Sequence, residues 1–151
     1  MEAMKQYDKE TERALEKALG PPKYFIETEG KKEGERYFWF PTAGDSMTCN
    51  NAHSIPGGSL VLGRWLKINS IHEIPLHQPI VVIIEDNNRQ YCLLKAACNI
   101  ATVSGEDRIC LHSYNARYDD FWLPFDCVRF LFVVERVRLS NGEEFIPEKI
   151  E

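Results

Sequence analysis

Two residues in this chain have the types and settings to do chemistry together, a serine and a lysine. Ser46 sits in Thr42-Ala43-Gly44-Asp45-Ser46-Met47, a Gly-Asp turn directly after the aromatic run Tyr37-Phe38-Trp39-Phe40. A serine so placed is commonly a turn residue bonded to its own backbone. Lys95 is the only charged residue between Arg89 and Glu106. In a strand Tyr91, Leu93, Lys95 and Ala97 would share one face and Cys92, Leu94, Ala96 and Cys98 the other, so apolar residues flank the lysine on both. Burial disfavours an ammonium and lowers its pKa, and a neutral amine can take the proton of a serine hydroxyl without a histidine. A lysine at a sheet edge, its stem packed and its amine reaching water, is the other reading of the same residue.

The elements that must hold this pair are read from periodicity and punctuation. Glu2 to Leu19 is rich in Ala, Glu, Lys and Gln, with Met4, Tyr7, Thr11, Leu15 and Ala18 on one side, which predicts a helix. Gly20-Pro21-Pro22 ends it. Glu27 to Arg36 is a charged, Gly-containing loop or exposed hairpin. Strands are expected at Tyr37–Phe40, Leu60–Leu66, Ile80–Ile84, Gln90–Cys98, Ala101–Val103, Arg108–His112, Phe121–Leu123, Cys127–Leu139 and Glu144–Ile146. Asp86-Asn87-Asn88 marks a hairpin turn, while residues 67–78 show no clear period. Short strands after one helix mean a mainly β domain, divided as a helix and linker arm over 1–36 and a β domain over 37–151.

Composition narrows the function. The 151 residues, 44% hydrophobic and 27% charged, suit one soluble core. No apolar run approaches the roughly 20 residues of a membrane helix, and the N-terminus lacks the apolar stretch of a secretory signal, so a cytoplasmic protein without membrane contact is expected. Five cysteines, Cys49, Cys92, Cys98, Cys110 and Cys127, are odd in number and lie mostly in apolar runs, which predicts buried free thiols rather than disulfides. The net charge of −5 opposes a sequence-independent grip on nucleic acid.

Several stretches, taken in order, resemble one family. Gly44-Asp45-Ser46-Met47 followed by Ser54-Ile55-Pro56-Gly57-Gly58-Ser59-Leu60-Val61-Leu62 is similar to the nucleophile motif of the LexA, UmuD and phage-repressor C-terminal domains. Leu93-Leu94-Lys95 resembles that family's lysine strand, Leu111-His112-Ser113-Tyr114-Asn115-Ala116-Arg117-Tyr118 its Leu-x-Ser-x-Asn-x-x-Tyr segment, and Phe130 to Leu139 its closing strand. The resemblance covers roughly residues 37 to 139. It implies a LexA and signal-peptidase type of β domain in which Ser46 is the nucleophile, Lys95 the general base, and the backbone N–H groups of Ser46 and Met47 the oxyanion hole. It further implies a homodimer, a RecA filament as activating partner, no cofactor, and cleavage of the chain itself or of a partner copy in an SOS-type or prophage-type response.

The chain departs from the family pattern in three places. The spacing from Ser46 to Lys95 is longer than usual, with the excess in 65–78, so that segment is expected to loop out. Gly57-Gly58-Ser59 stands where the family carries Gly-Asp. The family cuts an Ala-Gly or Cys-Gly bond upstream of its serine, but Ala43-Gly44 is too close to Ser46 to reach it. Leu19-Gly20 is the candidate bond instead, although Pro21 constrains the backbone beyond it. One helix before the β domain is too little for a helix-turn-helix module, so no direct DNA binding is expected.

A non-catalytic dimerisation or interaction module that keeps the fold is the alternative reading. Cys49 with His53, and Cys110 with His112, have donor types suited to a metal, but no Cys-x-x-Cys pair exists and no structural zinc spacing is matched, so no metal is expected. His72 and His77 are expected at the surface, and Tyr118-Asp119-Asp120 is assigned no role.

Overall fold

The β-branched and aromatic runs form strands, and the strands make one sheet. The computed structural model describes residues 36–51 and 53–148. In chain order the strands are β1 (Tyr37–Pro41), β2 (Leu60–Trp65), β3 (Pro79–Asp86), β4 (Arg89–Val103), β5 (Glu106–His112), β6 (Phe121–Pro124), β7 (Val128–Arg138) and β8 (Glu144–Phe145). All pair antiparallel in the order β1-β2-β7-β3-β4-β5-β6, with β8 against β7. The described residues are thus mainly β, with 3-10 turns at Ile71–Glu73 and Phe125–Cys127. The predicted helix Glu2 to Leu19, the Leu19-Gly20 bond, and the arm over 1–36 apart from Arg36 lie outside the described residues.

Central strands read as unbroken apolar runs because both of their faces are covered. In β3, Val81 and Ile83 enter a core with Phe38, Phe40, Trp65, Phe130 and Phe132. Ile80 and Val82 enter a second core with Ile109, Leu111, Phe125 and Leu131. Phe132 is the hub of the first, its ring meeting Phe38 and Phe40 edge-on at centroid distances of 5.6 and 4.8 Å. Gly63 is needed there, since a Cβ on it would stand 2.9 Å from Phe132 Cβ and 3.0 Å from Phe40 Cε2.

The hairpin expected at Asp86-Asn87-Asn88 forms. Asn87 and Asn88 both take positive φ, 52° and 67°, as a two-residue turn with the twist of the flanking strands requires. It joins β3 to β4 with Ile80 opposite Lys95. The two strands expected at Gln90–Cys98 and Ala101–Val103 are instead one 15-residue strand. A bulge between Ala97 and Asn99 interrupts its pairing with β5. Bulges bend and twist a strand, and this one lets β4 serve β3 with residues 89–96 and β5 with residues 96–103.

Segment 65–78 does not loop out as expected: Trp65 ends β2, and the residues after it pack inward. Ser70 caps the 3-10 turn, its hydroxyl accepting from the His72 N–H. Ile68, Ile71 and Ile74 are buried in the second core. The absence of a clear period concealed this because a 3-10 turn flanked by extended residues obeys neither the helical nor the strand repeat. His72 is exposed as expected, whereas His77 is half-buried, with φ 65° and its N–H donating to the Ala97 carbonyl at 2.7 Å. The cysteines also depart from expectation: all five are free, but only Cys110 is buried, and Cys92 is exposed.

Candidate active site

The turn carrying Ser46 is clamped from two sides. Toward β2, the Thr42 N–H donates to the Ser59 carbonyl at 2.9 Å and the Gly58 N–H to the Thr42 carbonyl at 3.0 Å. Thr42 Oγ1 accepts from the Ser59 N–H at 3.0 Å and lies 3.1 Å from the Pro56 carbonyl oxygen. Ser59, standing where an acidic residue was expected from the resemblance, is buried and donates its hydroxyl to the Pro56 carbonyl at 2.7 Å. Gly57 packs directly on Gly44, since a Cβ at position 57 would stand 2.5 Å from the Gly44 carbonyl oxygen. Gly44 itself takes φ 76°, a conformation glycine adopts without a steric penalty. Met47 and Ile55 anchor the turn in the first core, with the Ile55 N–H donating to the Met47 carbonyl at 2.9 Å.

The second clamp is the segment after β5. The Asn115 N–H donates to the Ser46 carbonyl at 2.9 Å, and Asn115 Nδ2 to the Asp45 carbonyl at 3.0 Å. The Tyr118 hydroxyl donates to the Asp45 carboxylate, and the Tyr114 N–H approaches Met47 Sδ at 3.5 Å. The Leu-x-Ser-x-Asn-x-x-Tyr segment is therefore a brace for the Ser46 turn.

Lys95 comes from β4 and is only 9% exposed. Ser46 and Lys95 line one pocket of about 220 Å³ with Thr42, Gly44, Met47 and Leu94. The Lys95 amine donates to Ser113 Oγ at 2.8 Å, and Ser113 is itself buried, 1% exposed. The amine also lies 5.9 Å from the centroid of the Tyr118 ring. Burial pushes the Lys95 pKa below its ordinary 10.5. Among the described residues the N–H groups of Ser46 and Met47 donate to no other group.

The pocket also borders an open strand edge. Cys92, Leu93, Leu94 and Lys95 line it, and β4 pairs with β5 only from Ala96 onward. Among the described residues, no strand covers the other edge of 89–95. Such an edge can pair with an added extended peptide.

Ser46, Met47 and Lys95 thus line one pocket. The structure adds Ser113, Asn115 and Tyr118, which sequence reading gave no chemical part although all three lie in the resembling segment. Of the cysteine and histidine pairs, Cys49 Sγ donates to Asn51 Oδ1 at 3.2 Å, and His112 turns to Asp120, Nδ1 to Oδ1 2.7 Å.

Fold and site together define a mainly β, single-sheet domain with a serine and a shielded lysine in a shared pocket beside an unpaired strand edge. Comparison of the chain with protein-family models, with curated proteins and with solved structures finds no match.

Proposed function

We propose that this domain is a Ser-Lys peptidase of the LexA and phage-repressor type, cutting its own chain or a partner copy. One observation carries the reading: Ser46 shares its pocket with a lysine whose amine is held below its ordinary pKa by burial. In the neutral form Lys95 takes the proton of the Ser46 hydroxyl as Oγ attacks a carbonyl carbon, and the N–H groups of Ser46 and Met47 receive the developing oxyanion. The protonated amine then supplies the leaving amine with its proton, leaving an acyl-serine that water hydrolyses. Ser113 orients the amine throughout. The open edge of β4 would hold the scissile segment extended across the pocket.

Leu19-Gly20 is the proposed bond in this reading, with a second copy of the chain as homodimer partner and a RecA filament as activator of an SOS-type or prophage-type response. No DNA contact by this chain is proposed. No helix of the described residues is long and apolar enough to cross a membrane, and action in the cytoplasm is proposed.

A non-catalytic interaction module is favoured by a different observation, that the hydrogen bond from Lys95 goes to Ser113 rather than to Ser46. Incubation of the purified protein from neutral to strongly alkaline pH separates the two, with Ser46→Ala and Lys95→Ala as controls and intact mass as readout. The peptidase reading expects a cut that grows with pH and vanishes in both variants. A chain that stays whole at every pH, alone and with an activating filament, supports the module instead.

A further inference from the structure

The bulge in β4 does more than bend the strand. Ala97 pairs with Leu111 and Asn99 with Cys110, so Cys98 is the extra residue at the bulge. It lies beside β5, with its Sγ 3.6 Å from the Cys110 carbonyl oxygen and 3.8 Å from Asp120 Oδ2. The Cys98 and Cys110 sulfurs and an Asp120 carboxylate oxygen all lie within 4.8 Å of one another. The three donors come from β4, β5 and the segment leading into β6, and only the folded sheet unites them.

We propose that Cys98, Cys110 and Asp120 form a binding site for a thiophilic divalent cation of the zinc class, with solvent at the fourth position. Two thiolates and a carboxylate are a donor set zinc accepts, and a tetrahedral arrangement around bonds of about 2.3 Å to sulfur brings two sulfurs about 3.8 Å apart. Closing the present separations to that value takes at most about 1 Å of movement. The site is shielded on one side, where Cys110 is buried, and open on the other, where Asp120 is exposed and gives an entry path.

The surroundings suit the donors. His112 Nδ1 lies 2.7 Å from Asp120 Oδ1, leaving Oδ2 toward Cys98. A ligating carboxylate is commonly fixed by such a neighbour. The spacing Cys98-x11-Cys110-x9-Asp120 matches no linear zinc motif, so the set forms only when the strands pair. The site is independent of the peptidase reading.

Cobalt(II) titration of the freshly reduced, metal-free protein tests it. The expected result is one cobalt per chain with thiolate charge-transfer and tetrahedral d–d absorption, displaced by zinc, and a zinc-dependent rise in melting temperature. Cys98→Ser and Asp120→Asn alter a half-buried and an exposed residue, so folding should survive, and each should abolish or strongly weaken the signal. His112→Ala should lower affinity about 10–100-fold, whereas Cys127→Ser, at a free cysteine outside both sites, should leave the cobalt absorption unchanged. Absence of the absorption from the wild type, its persistence in Cys98→Ser, or a Cys98–Cys110 disulfide that forms equally with zinc present overturns the proposal.

Discussion

Replacing Gly57 by alanine would drive a methyl group into the backbone that carries Ser46. The added Cβ would stand 2.5 Å from the Gly44 carbonyl oxygen and 3.2 Å from the Gly44 nitrogen, where ordinary contact begins at 3.4 Å. Relieving the closer contact requires about 0.9 Å of separation, and both partners are backbone, so no flexible side-chain end can give way. Overpacking of this kind costs about 1–3 kcal/mol. Gly44 is two residues before Ser46, and the displacement passes into the turn. A misplacement of about 1 Å in a reacting group can slow a reaction about 10²-fold.

Two measurements read these effects, the urea midpoint and the rate of the proposed alkaline, Ser46-dependent cut followed by intact mass. Gly58→Ala separates collision from strain. Position 58 has φ 88° with nothing within 4 Å of its Cβ, so alanine there should cost about 1–2 kcal/mol through backbone strain with a far smaller effect on rate. Wild-type stability and rate in Gly57→Ala would refute the claim that this close approach positions Ser46.

Lys95→Met tests the burial of the amine. The folded pKa lies below the ordinary 10.5, so between those two values the unfolded chain binds a proton that the native chain does not, and wild-type stability rises with pH through that window. Methionine abolishes this titration, so urea midpoints should show the wild type gaining stability relative to the variant as pH rises through that window, with the difference levelling off above 10.5. Ser113→Ala deletes the acceptor of the 2.8 Å bond. Since hydrogen bonds to charged groups contribute about 1.5–3 kcal/mol, the amine should titrate still lower, as seen by NMR of labelled lysine, and Ser113→Thr should restore the value; an unmoved titration would remove Ser113 from the site. Phe132→Ala should cost about 3–5 kcal/mol in chemical denaturation, because it empties the centre of the first core.

The strands were legible because their signals are local. Tyr37–Pro41, Leu60–Trp65 and Val128–Arg138 are β-branched and aromatic runs, and Asn87-Asn88 is a turn signal that needs no distant partner. Ser46 and Lys95 were legible for a related reason: a serine in a Gly-Asp turn and a lone charge in an apolar run are anomalies against their own neighbours.

What the sequence could not give was set by contacts between residues far apart in the chain. Residues 65–78 looked like an insertion to be looped out, yet Ile68, Ile71 and Ile74 complete the second core through burial that has no linear repeat. The bulge at Cys98 depends on the register between β4 and β5, a property of the pair and not of either strand.

By itself, then, the sequence determined a mainly β domain and two of its chemically notable side chains, because periodicity and composition act over a few residues. Only the tertiary structure decided that the Lys95 amine meets Ser113, that Asn115 and Tyr118 brace the Ser46 turn, and that two cysteines and an aspartate converge. Side-chain hydrogen bonds and ligand sets require separations of a few ångströms across strands distant in sequence, and those separations exist only once the sheet has closed.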